Sequence, residues 1–368
     1  MNLMVVLYIF GALMLLVFMI VVHEFGHYIA AKILRFRVKE FAIGFGRPLF
    51  KYTRKNGEIF SIRVLPLGGY CAFEGDEDDP AAVPGGASSY QKDPDAIPFN
   101  KMAPWKRLIV LFSGGFANMI CGVIFAFIVV AAFGYYQHVE VTRIDENSHL
   151  VGIVQVGDVV TEINGSQFPL LSNFGVQLGP IPVGEEFYFT LYRENPATGI
   201  MERHENVVVR KDVIHTPDGT FRGMGLNFEH AGFANVSFGS AIGYAFVFSW
   251  ELTKLIFDIL WQLITFQISL SNLGGTLSAI SVMSDVVSAG ILPVLIMIPL
   301  ISMNLAIFNL LPIPALDGAR MVFTGIEWIR GRPVNPDLEG RIHMIGLICL
   351  LAFMVIADLN FLIFQRLF

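Results

Sequence analysis

Charged residues are scarce in this chain of 368 residues. Asp, Glu, Lys and Arg make up 15% of it and the mean hydropathy is +0.60, whereas an ordinary soluble domain has about 25% charged residues. So little charge excludes a soluble globular protein and predicts a membrane protein in contact with the lipid bilayer. Nothing in the composition indicates a nucleic-acid partner.

Cysteine is also scarce. The three cysteines, Cys71, Cys121 and Cys349, lie far apart and two of them fall in apolar segments, which excludes a disulfide framework. We expect no removable signal peptide, because the first apolar run lacks a basic start and a small-residue cleavage site.

Long apolar runs are what the chain has in quantity. A membrane-spanning helix needs about 20 apolar residues, and four stretches qualify: Met4–Val22, Leu108–Phe133, Ile291–Leu311 and Met344–Phe364. A fifth apolar region, 238–270, carries Glu251, Lys254 and Asp258 at helical spacing. That region predicts an amphipathic or partly inserted helix.

Basic residues predict the orientation. Lys and Arg cluster between the first and second apolar runs, and Arg320, Arg330, Arg332 and Arg341 follow the third. By the positive-inside rule both loops are cytoplasmic. The insert of about 137–234 is then expected outside, and the polar residues after the first span lie near its cytoplasmic end.

Two different patterns make up the first of these loops. The stretch "EIFSIRVLPLGGY" predicts a strand that ends in a Gly-Gly turn and dips into the membrane. The following "EGDEDDPAAVPGGASSYQKDPD" is acidic and rich in Pro and Gly. It predicts a flexible, solvated loop, although its acidic run is also capable of binding a cation.

The insert alternates strand-like segments and turns. "GIVQVGDVVTEINGSQF" contains a Gly-Asp turn, a β-rich segment and an Asn-Gly hairpin turn, and "EEFYFTLYREN" alternates as a later strand. This pattern resembles a PDZ domain, a fold that captures extended peptides by β-augmentation. The alternative is a small β domain without a ligand.

Two histidines and a glutamate stand directly after the first apolar run, in the motif "HEFGH". On a helix His23 and His27 share one face, so both reach one ion, and Glu24 lies beside them. Zinc suits such donors, and it activates water for hydrolysis with Glu24 as general base. The alternative is a metal-free buried cluster, which hydrocarbon makes costly.

A third metal ligand is needed at the same depth. The candidates in or beside the apolar runs are Asp317, Glu327, Asp285, Cys121, Cys349 and Asp358. Asp317 is favoured because it lies in "NLLPIPALDGAR", where Pro312 and Pro314 break the helix. Broken backbone at membrane depth is tolerated where it lines a cavity. The alternative for Asp317 is an ordinary helix-end carboxylate.

These motifs, in this order, resemble the site-2 protease family of intramembrane zinc metalloproteases, in particular its bacterial members of regulated intramembrane proteolysis with a single PDZ domain. "HEFGH" and "NLLPIPALDG" match the family motifs, which implies His23, His27 and Asp317 as zinc ligands and Glu24 as the base. The resemblance also implies a set of substrate-facing residues: Asn309, Pro312, Pro314, Gly44, Phe45, Gly46 and Asn118.

The resemblance implies a polytopic α-helical membrane protein with about four transmembrane helices, a membrane-associated β-loop and an inserted PDZ-like domain. The expected domains are 1–134, 135–235 and 236–368. The implied activity is cleavage of transmembrane segments of single-pass proteins, such as anti-sigma factors or signal-peptide remnants, in the bacterial cytoplasmic membrane. An upstream trimming protease is an implied partner.

The chain departs from the family pattern at "LDGAR", where Ala319 and Arg320 replace Gly-His, and at "NLGG", 272–275. Two other classes of function stay open. One is a non-catalytic PDZ-bearing scaffold with a vestigial metal site. The other is a metal transporter, which needs several ligand clusters along a path, whereas the sequence offers one.

Overall fold

The computed structural model describes residues 3–75, 97–169, 178, 181–216, 219–234, 236–265, 267 and 275–367. The acidic loop predicted over 76–95 and residues 272–274 lie outside this part. The chain forms two compact units: one comprises Met1–Phe125 with Leu252–Phe368, and the other is Ala126–Glu251.

The described helices are numbered along the chain. They are α1 (Leu3–Ile33), α2 (Pro104–Phe133), α3 (Phe238–Ile264), α4 (Thr276–Ser288), α5 (Ile291–Leu310), α6 (Asp317–Arg330) and α7 (Pro336–Leu367). Among the described residues, four segments are long and apolar enough to cross a membrane: Val6–Ile33, Pro104–Phe133, Ile291–Leu310 and Pro336–Leu359. The prediction of four apolar spans is confirmed, and α3, with its charged residues, is not one of them.

The first helix extends further than its apolar run. The run was expected to end at Val22, but α1 continues to Ile33, because "HEFGHYIAAKI" contains no Pro and its one glycine packs closely against α2. His23 and His27 therefore lie inside a regular helix, which fixes their mutual geometry better than a loop does. The last helix likewise begins earlier than predicted, at Pro336.

Small residues bring α2 close to two other helices. A Cβ at Gly26 of α1 would lie 2.7 Å from the Cβ of Ala117. On α2, a Cβ at Gly115 would lie 3.1 Å from Leu310 Cγ, and one at Gly122 would lie 3.0 Å from Met303 Cε, both in α5. Close helix approach at small residues is the usual packing mode in membranes. It makes α2 the shared neighbour of α1 and α5.

The first loop forms a long β-hairpin, β1 (Val38–Thr53) and β2 (Ile59–Phe73). Both strands bend, so that 48–53 pairs with 59–63, and 38–43 pairs with both 59–62 and 69–73. The predicted strand is confirmed. The chain then reverses direction between 62 and 69, because 59–62 runs parallel to 40–43 whereas 69–73 runs antiparallel to 38–43. The predicted Gly-Gly turn, with a φ of +115° at Gly68, lies at the end of this reversal, and the strand continues to Phe73.

The base of this hairpin is anchored in a small hydrophobic core. Buried residues from the end of α1, both strands, a short 3-10 helix and α2 pack together: Ala30, Ala31, Phe36, Val38, Phe73, Phe99 and Val110. The hairpin is therefore fixed to the end of α1 that carries the HEFGH motif.

The second unit contains a six-stranded sheet among its described residues. The strand order is β10-β3-β5-β4-β6-β7, formed by β3 (Tyr136–Ile144), β4 (Val159–Ile163), β5 (Ser166–Pro169), β6 (Glu186–Glu194), β7 (Met201–Arg210) and β10 (Leu226–Phe233). Two further strands, β8 (Asp212–Thr216) and β9 (Gly219–Gly223), pair with each other.

The insert is thus β-rich, as predicted. The Asn-Gly hairpin turn is confirmed between β4 and β5, where Asn164 and Gly165 have φ of 50° and 73°, the backbone form that this residue pair favours. The predicted late strand is β6, and its Phe187, Phe189 and Leu191 form part of the buried core.

Candidate metal centre

Two imidazoles face each other on one side of α1. His23 and His27 are one helical turn apart and both are buried, and their Nε2 atoms lie 3.2 Å apart. The i, i+4 spacing puts both rings on the same face, as the sequence predicts. Both Nε2 atoms therefore point to one place.

Asp317 reaches that place from the other end of the chain. Its Oδ2 lies 3.0 Å from His23 Nε2 and 3.1 Å from His27 Nε2. The backbone makes a tight reversal between α5 and α6: Ala315 has a φ of +81°, and a Cβ at Gly318 would lie 2.6 Å from the carbonyl of Leu310. Gly318 permits this close approach, and the reversal puts Asp317 at the first position of α6.

The hydrogen bonds of His27 leave its Nε2 free to bind a metal. His27 Nδ1 lies 2.7 Å from the carbonyl oxygen of Val110 in α2, and only a protonated Nδ1 forms a bond with a carbonyl. The lone pair is then on Nε2, and such a backbone partner is typical of metal-binding histidines. Among the described residues, His23 Nδ1 is buried without a hydrogen-bond partner.

The three donor atoms fit zinc. Bonds of about 2.0–2.1 Å in a tetrahedral site separate ligand atoms by about 3.3 Å, and the separations here are 3.0–3.2 Å. Asp317 supplies the carboxylate oxygen of this donor set, and a carboxylate binds a metal in its ionised form.

Gly114 of α2 makes room for the two rings. A Cβ at this position would lie 2.6 Å from His27 Cε1 and 2.8 Å from His23 Cε1, and closer still to His27 Nε2. Any side chain there would displace the ligands. The absence of a side chain at Gly114 therefore has a steric reason.

A cavity of about 770 Å³ opens beside the cluster. Glu24 lines it together with His23, His27 and Asp317, and the backbone of Cys71 in β2 hydrogen-bonds the Glu24 carboxylate. Of the expected substrate-facing residues, Asn309 and Phe45 line this cavity, and Gly44 and Gly46 flank Phe45 with φ of +86° and +87°. Glu24, the three candidate ligands and the hairpin therefore share one space.

Three of the expected substrate-facing residues lie elsewhere among the described residues. Asn118 is fully buried in α2, where its amide has no hydrogen-bond partner in the described part of the chain. Pro312 is exposed, and Pro314 packs against α7 at Gly346, where an added Cβ would clash with it. Their roles toward substrate remain predictions.

The other third-ligand candidates are placed away from the cluster or are already engaged. In the described part of the chain, His23, His27 and Asp317 are the one group of three metal-competent side chains. Glu327 pairs with Arg107 at 2.5 Å, and Asp358 accepts a hydrogen bond of 2.8 Å from the backbone of Leu277. Cys121 packs in an apolar core, while Asp285 and Cys349 are exposed.

Residues 11–353 match the family model described as Peptidase family M50. The chain belongs to this family. It is 28% identical to the zinc metalloprotease RasP of Shouchella clausii, over 93% of this chain and 95% of that relative. It is 26% identical to the RasP of Oceanobacillus iheyensis, over 94% and 96%. This M50 peptidase is a zinc-dependent metalloprotease of the membrane, and Zn²⁺ is its cofactor.

One residue that the sequence did not reveal supports the loop before Asp317. His343 in α7 lines the cavity of this M50 peptidase, and its Nδ1 accepts a hydrogen bond of 3.0 Å from the backbone N–H of Ala315. Ala315 is the residue with positive φ two positions before the ligand. His343 therefore helps to hold a strained backbone conformation that aims Asp317.

A second missed feature is a buried polar network inside the hairpin. Arg63 donates to Glu40 Oε1 at 2.7 Å and to the carbonyl oxygen of Gly46 at 2.6 Å, and Ser61 donates to the same Glu40 oxygen at 2.5 Å. The Arg63 guanidinium also lies 5.3 Å from the ring centroid of Tyr70, which stacks on Phe45. The network thereby fixes the Gly44–Gly46 segment at the cavity. No periodic pattern in the sequence predicts such a network.

Proposed function

We propose that this M50 peptidase is an intramembrane endopeptidase that cleaves transmembrane segments of single-pass membrane proteins. The observation that carries the proposal is the position of the metal cluster, because two of its three ligands lie inside α1, a helix apolar enough to cross a bilayer. Anti-sigma factors and signal-peptide remnants are the substrate classes we expect. The active site then lies toward the cytoplasmic side of a bacterial cytoplasmic membrane.

Each residue of the centre has a distinct role in this proposal. His23, His27 and Asp317 hold the zinc, and Glu24 accepts a proton from the attacking water and passes it to the leaving amine. Zinc, when bound, supplies Lewis-acid polarisation. The Cys71 backbone and the wall of β2 keep the Glu24 carboxylate beside the ligands.

The edge of the hairpin offers a way to present a peptide bond. Segment 69–73 pairs with 38–43 on one side, and no described strand pairs with its other side. It runs past Glu24, since a Cβ at Gly69 would lie 3.4 Å from Glu24 Cγ. An unwound substrate segment is able to add to this edge by β-augmentation, which exposes peptide bonds that a helix hides.

The Glu24→Gln variant tests the activity. Glutamine cannot accept a proton but keeps the ligands intact, so cleavage should fall by about 10² to 10⁴ while bound zinc stays at one ion per chain. Zinc content of the purified protein and turnover of a reconstituted single-pass substrate give the two measurements. Asp285→Asn, at an exposed carboxylate in α4, is the matched control and should change neither.

The scaffold hypothesis makes a different prediction for the same variant. Membrane peptides from cells with Glu24→Gln would then equal those from wild-type cells, because no cleavage product depends on the enzyme. Accumulation of uncut single-pass segments in the variant supports the peptidase. Unchanged peptides, together with unchanged turnover in vitro, would reject it.

We further propose that the β-rich insert is the PDZ-like domain of the family and acts outside the membrane as a filter for trimmed substrates. The insert begins and ends at one point, because the Ala234 N–H donates a 2.8 Å hydrogen bond to the Tyr136 carbonyl. A short Gly-Ser bridge is therefore able to replace 137–233. Under the filter hypothesis this variant cuts untrimmed substrate, and under peptide capture it cuts trimmed substrate more slowly and still rejects the untrimmed form.

A further inference from the structure

A second cavity lies on the same unit at the end of α1 and the start of α2. It measures about 530 Å³. Its rim is basic and consists of Lys32, Arg35, Arg37 and Lys106. Its remaining lining is mainly apolar: Leu34, Phe36, Val38, Ile97 and Met102, with Asn56. The apolar part belongs largely to the hydrophobic core that anchors the hairpin, so the cavity has a fixed floor.

Two of the four rim charges are already neutralised. Lys32 donates to Glu58 at 2.8 Å, and Arg37 lies 3.3 Å from Glu74. Burial raises the pKa of Glu58, but hydrogen bonds from Lys32 and Asn56 outweigh burial and lower it below its usual range, so Glu58 stays ionised opposite Lys32.

The other two rim charges have no acidic partner among the described residues. Arg35 is exposed and Lys106 half-buried, and neither forms an ion pair in the described part of the chain. Within the part of the chain that the structure describes, these two positive charges therefore face the cavity without an acidic partner. Such an arrangement favours a ligand with negative charge.

The depth of the cavity in the membrane follows from its neighbours. The apolar span of α1 ends at Ile33, and that of α2 begins at Pro104. The basic rim of the cavity therefore lies at the ends of these two spans, where the membrane meets water. Trp105 is 43% exposed, and Lys106 Nζ lies 5.6 Å from its ring centroid. Exposed Trp beside Lys is typical of the headgroup level. Below it, Ile33 and Ile109 present exposed apolar surface.

We propose that this cavity binds the phosphate of an anionic phospholipid, held between Arg35 and Lys106. Basic pockets between transmembrane helices on the positively charged face bind such headgroups. The apolar floor and the exposed isoleucines suit the glycerol and acyl chains, whereas a free phosphate ion gains nothing from them. The proposal depends on the membrane spans and is independent of the proposed cleavage activity.

The test compares lipid binding by the full-length protein in nanodiscs of phosphatidylcholine with and without phosphatidylglycerol. Native mass spectrometry counts retained phosphatidylglycerol, and titration gives its dissociation constant. In Arg35→Gln/Lys106→Gln this constant should rise about fivefold per removed charge, the change expected from about 1 kcal/mol per basic residue. Arg330→Gln/Arg332→Gln removes two exposed charges outside the cavity and should leave binding unchanged.

Two further arms identify the source of the negative charge. Inorganic phosphate at equal concentration should not compete with the lipid, and full competition would overturn the choice of a phospholipid.

The chain's own acidic run, 76–79, lies outside the described residues, and Asp76→Asn/Glu77→Gln/Asp78→Asn/Asp79→Asn removes it. Unchanged lipid binding in that variant supports the proposal. Equal weakening in the cavity and control double variants, or lipid binding that appears only without the acidic run, would overturn it.

Discussion

Two buried polar clusters of the first unit differ in how their charges meet. In the hairpin, the Arg63 guanidinium donates to the Glu40 carboxylate and to a backbone carbonyl, so donors face acceptors and opposite charges are paired. In the metal centre, two imidazole nitrogens and one carboxylate oxygen converge within 3.2 Å of one another. His27 already uses its one N–H on Val110.

The difference separates a structural cluster from a binding site. A cluster that pairs a guanidinium with a carboxylate balances its own charge and stabilises the fold by itself. In the metal centre the lone pair of His27 Nε2 and the Asp317 carboxylate converge instead, and such a pair favours a cation between them. Burial alone does not distinguish them, because Glu40 and His23 are both buried. The lone pair of His27 Nε2, which points at the Asp317 carboxylate rather than at a donor, distinguishes the metal centre.

The largest expected effect is the loss of the third ligand. Asp317→Ala should remove bound zinc and with it all activity, because two imidazoles leave the ion without its anionic donor. Zinc content and cleavage are measured on the same preparation. Asp285→Asn serves as the control here too. Zinc that persists after Asp317→Ala would place the third ligand elsewhere.

A smaller effect is expected when the Arg63–Glu40 cluster of the hairpin is broken. Arg63→Ala leaves the Glu40 carboxylate buried without its counter-ion, which should lower the free energy of unfolding by about 3–5 kcal/mol. The double change Glu40→Met/Arg63→Met should recover most of that loss, since no unpaired charge remains. Unfolding in detergent mixtures gives the comparison, and bound zinc should stay unchanged in both variants. Loss of zinc in the double variant would contradict the separation of the two clusters.

Glu327, like Glu40, belongs to a structural ion pair rather than to the metal centre. From the sequence it was a candidate ligand. The structure instead pairs the half-buried Glu327 with the buried Arg107. Removal of Glu327 should therefore reduce stability, with the zinc stoichiometry of the folded protein preserved.

The smallest expected effect concerns space rather than charge. Gly114→Ala places a Cβ against the rings of His23 and His27, and the displaced rings should bind zinc about 10- to 100-fold more weakly, as other disturbances around ligands do. Competition with a chelator of known affinity measures this change. Gly325→Ala is the matched control, because nothing lies within 4 Å of a Cβ at that helical position. Equal zinc affinity in both variants would exclude the steric role of Gly114.

Local spacing made the proximity of the His23 and His27 side chains on α1 predictable. His23 and His27 stand four residues apart, and helical geometry turns that spacing directly into proximity. Asp317 was predictable for a different reason, since Pro312 and Pro314 mark a break at the end of an apolar run. The four spans followed from length and composition, because a bilayer imposes both.

Long-range contacts without a periodic pattern were not predictable. His343 lies 28 residues from Ala315 and Arg63 lies 23 from Glu40, and neither pair has a sequence motif. The return of 69–73 onto 38–43 was not predictable either, because the Gly68–Gly69 pair permits a turn without fixing which strand the chain pairs with next.

The distance of 290 residues between His27 and Asp317 also sets an order of events during biosynthesis. A ribosome that adds about 5–20 residues per second completes α1 roughly 15–60 s before it reaches the Asp-Gly pair. During that interval the nascent chain carries Glu24 and the two imidazoles without the carboxylate of Asp317. We therefore expect a chain that stalls or is cut short before α6 to lack the third candidate ligand and to be inactive.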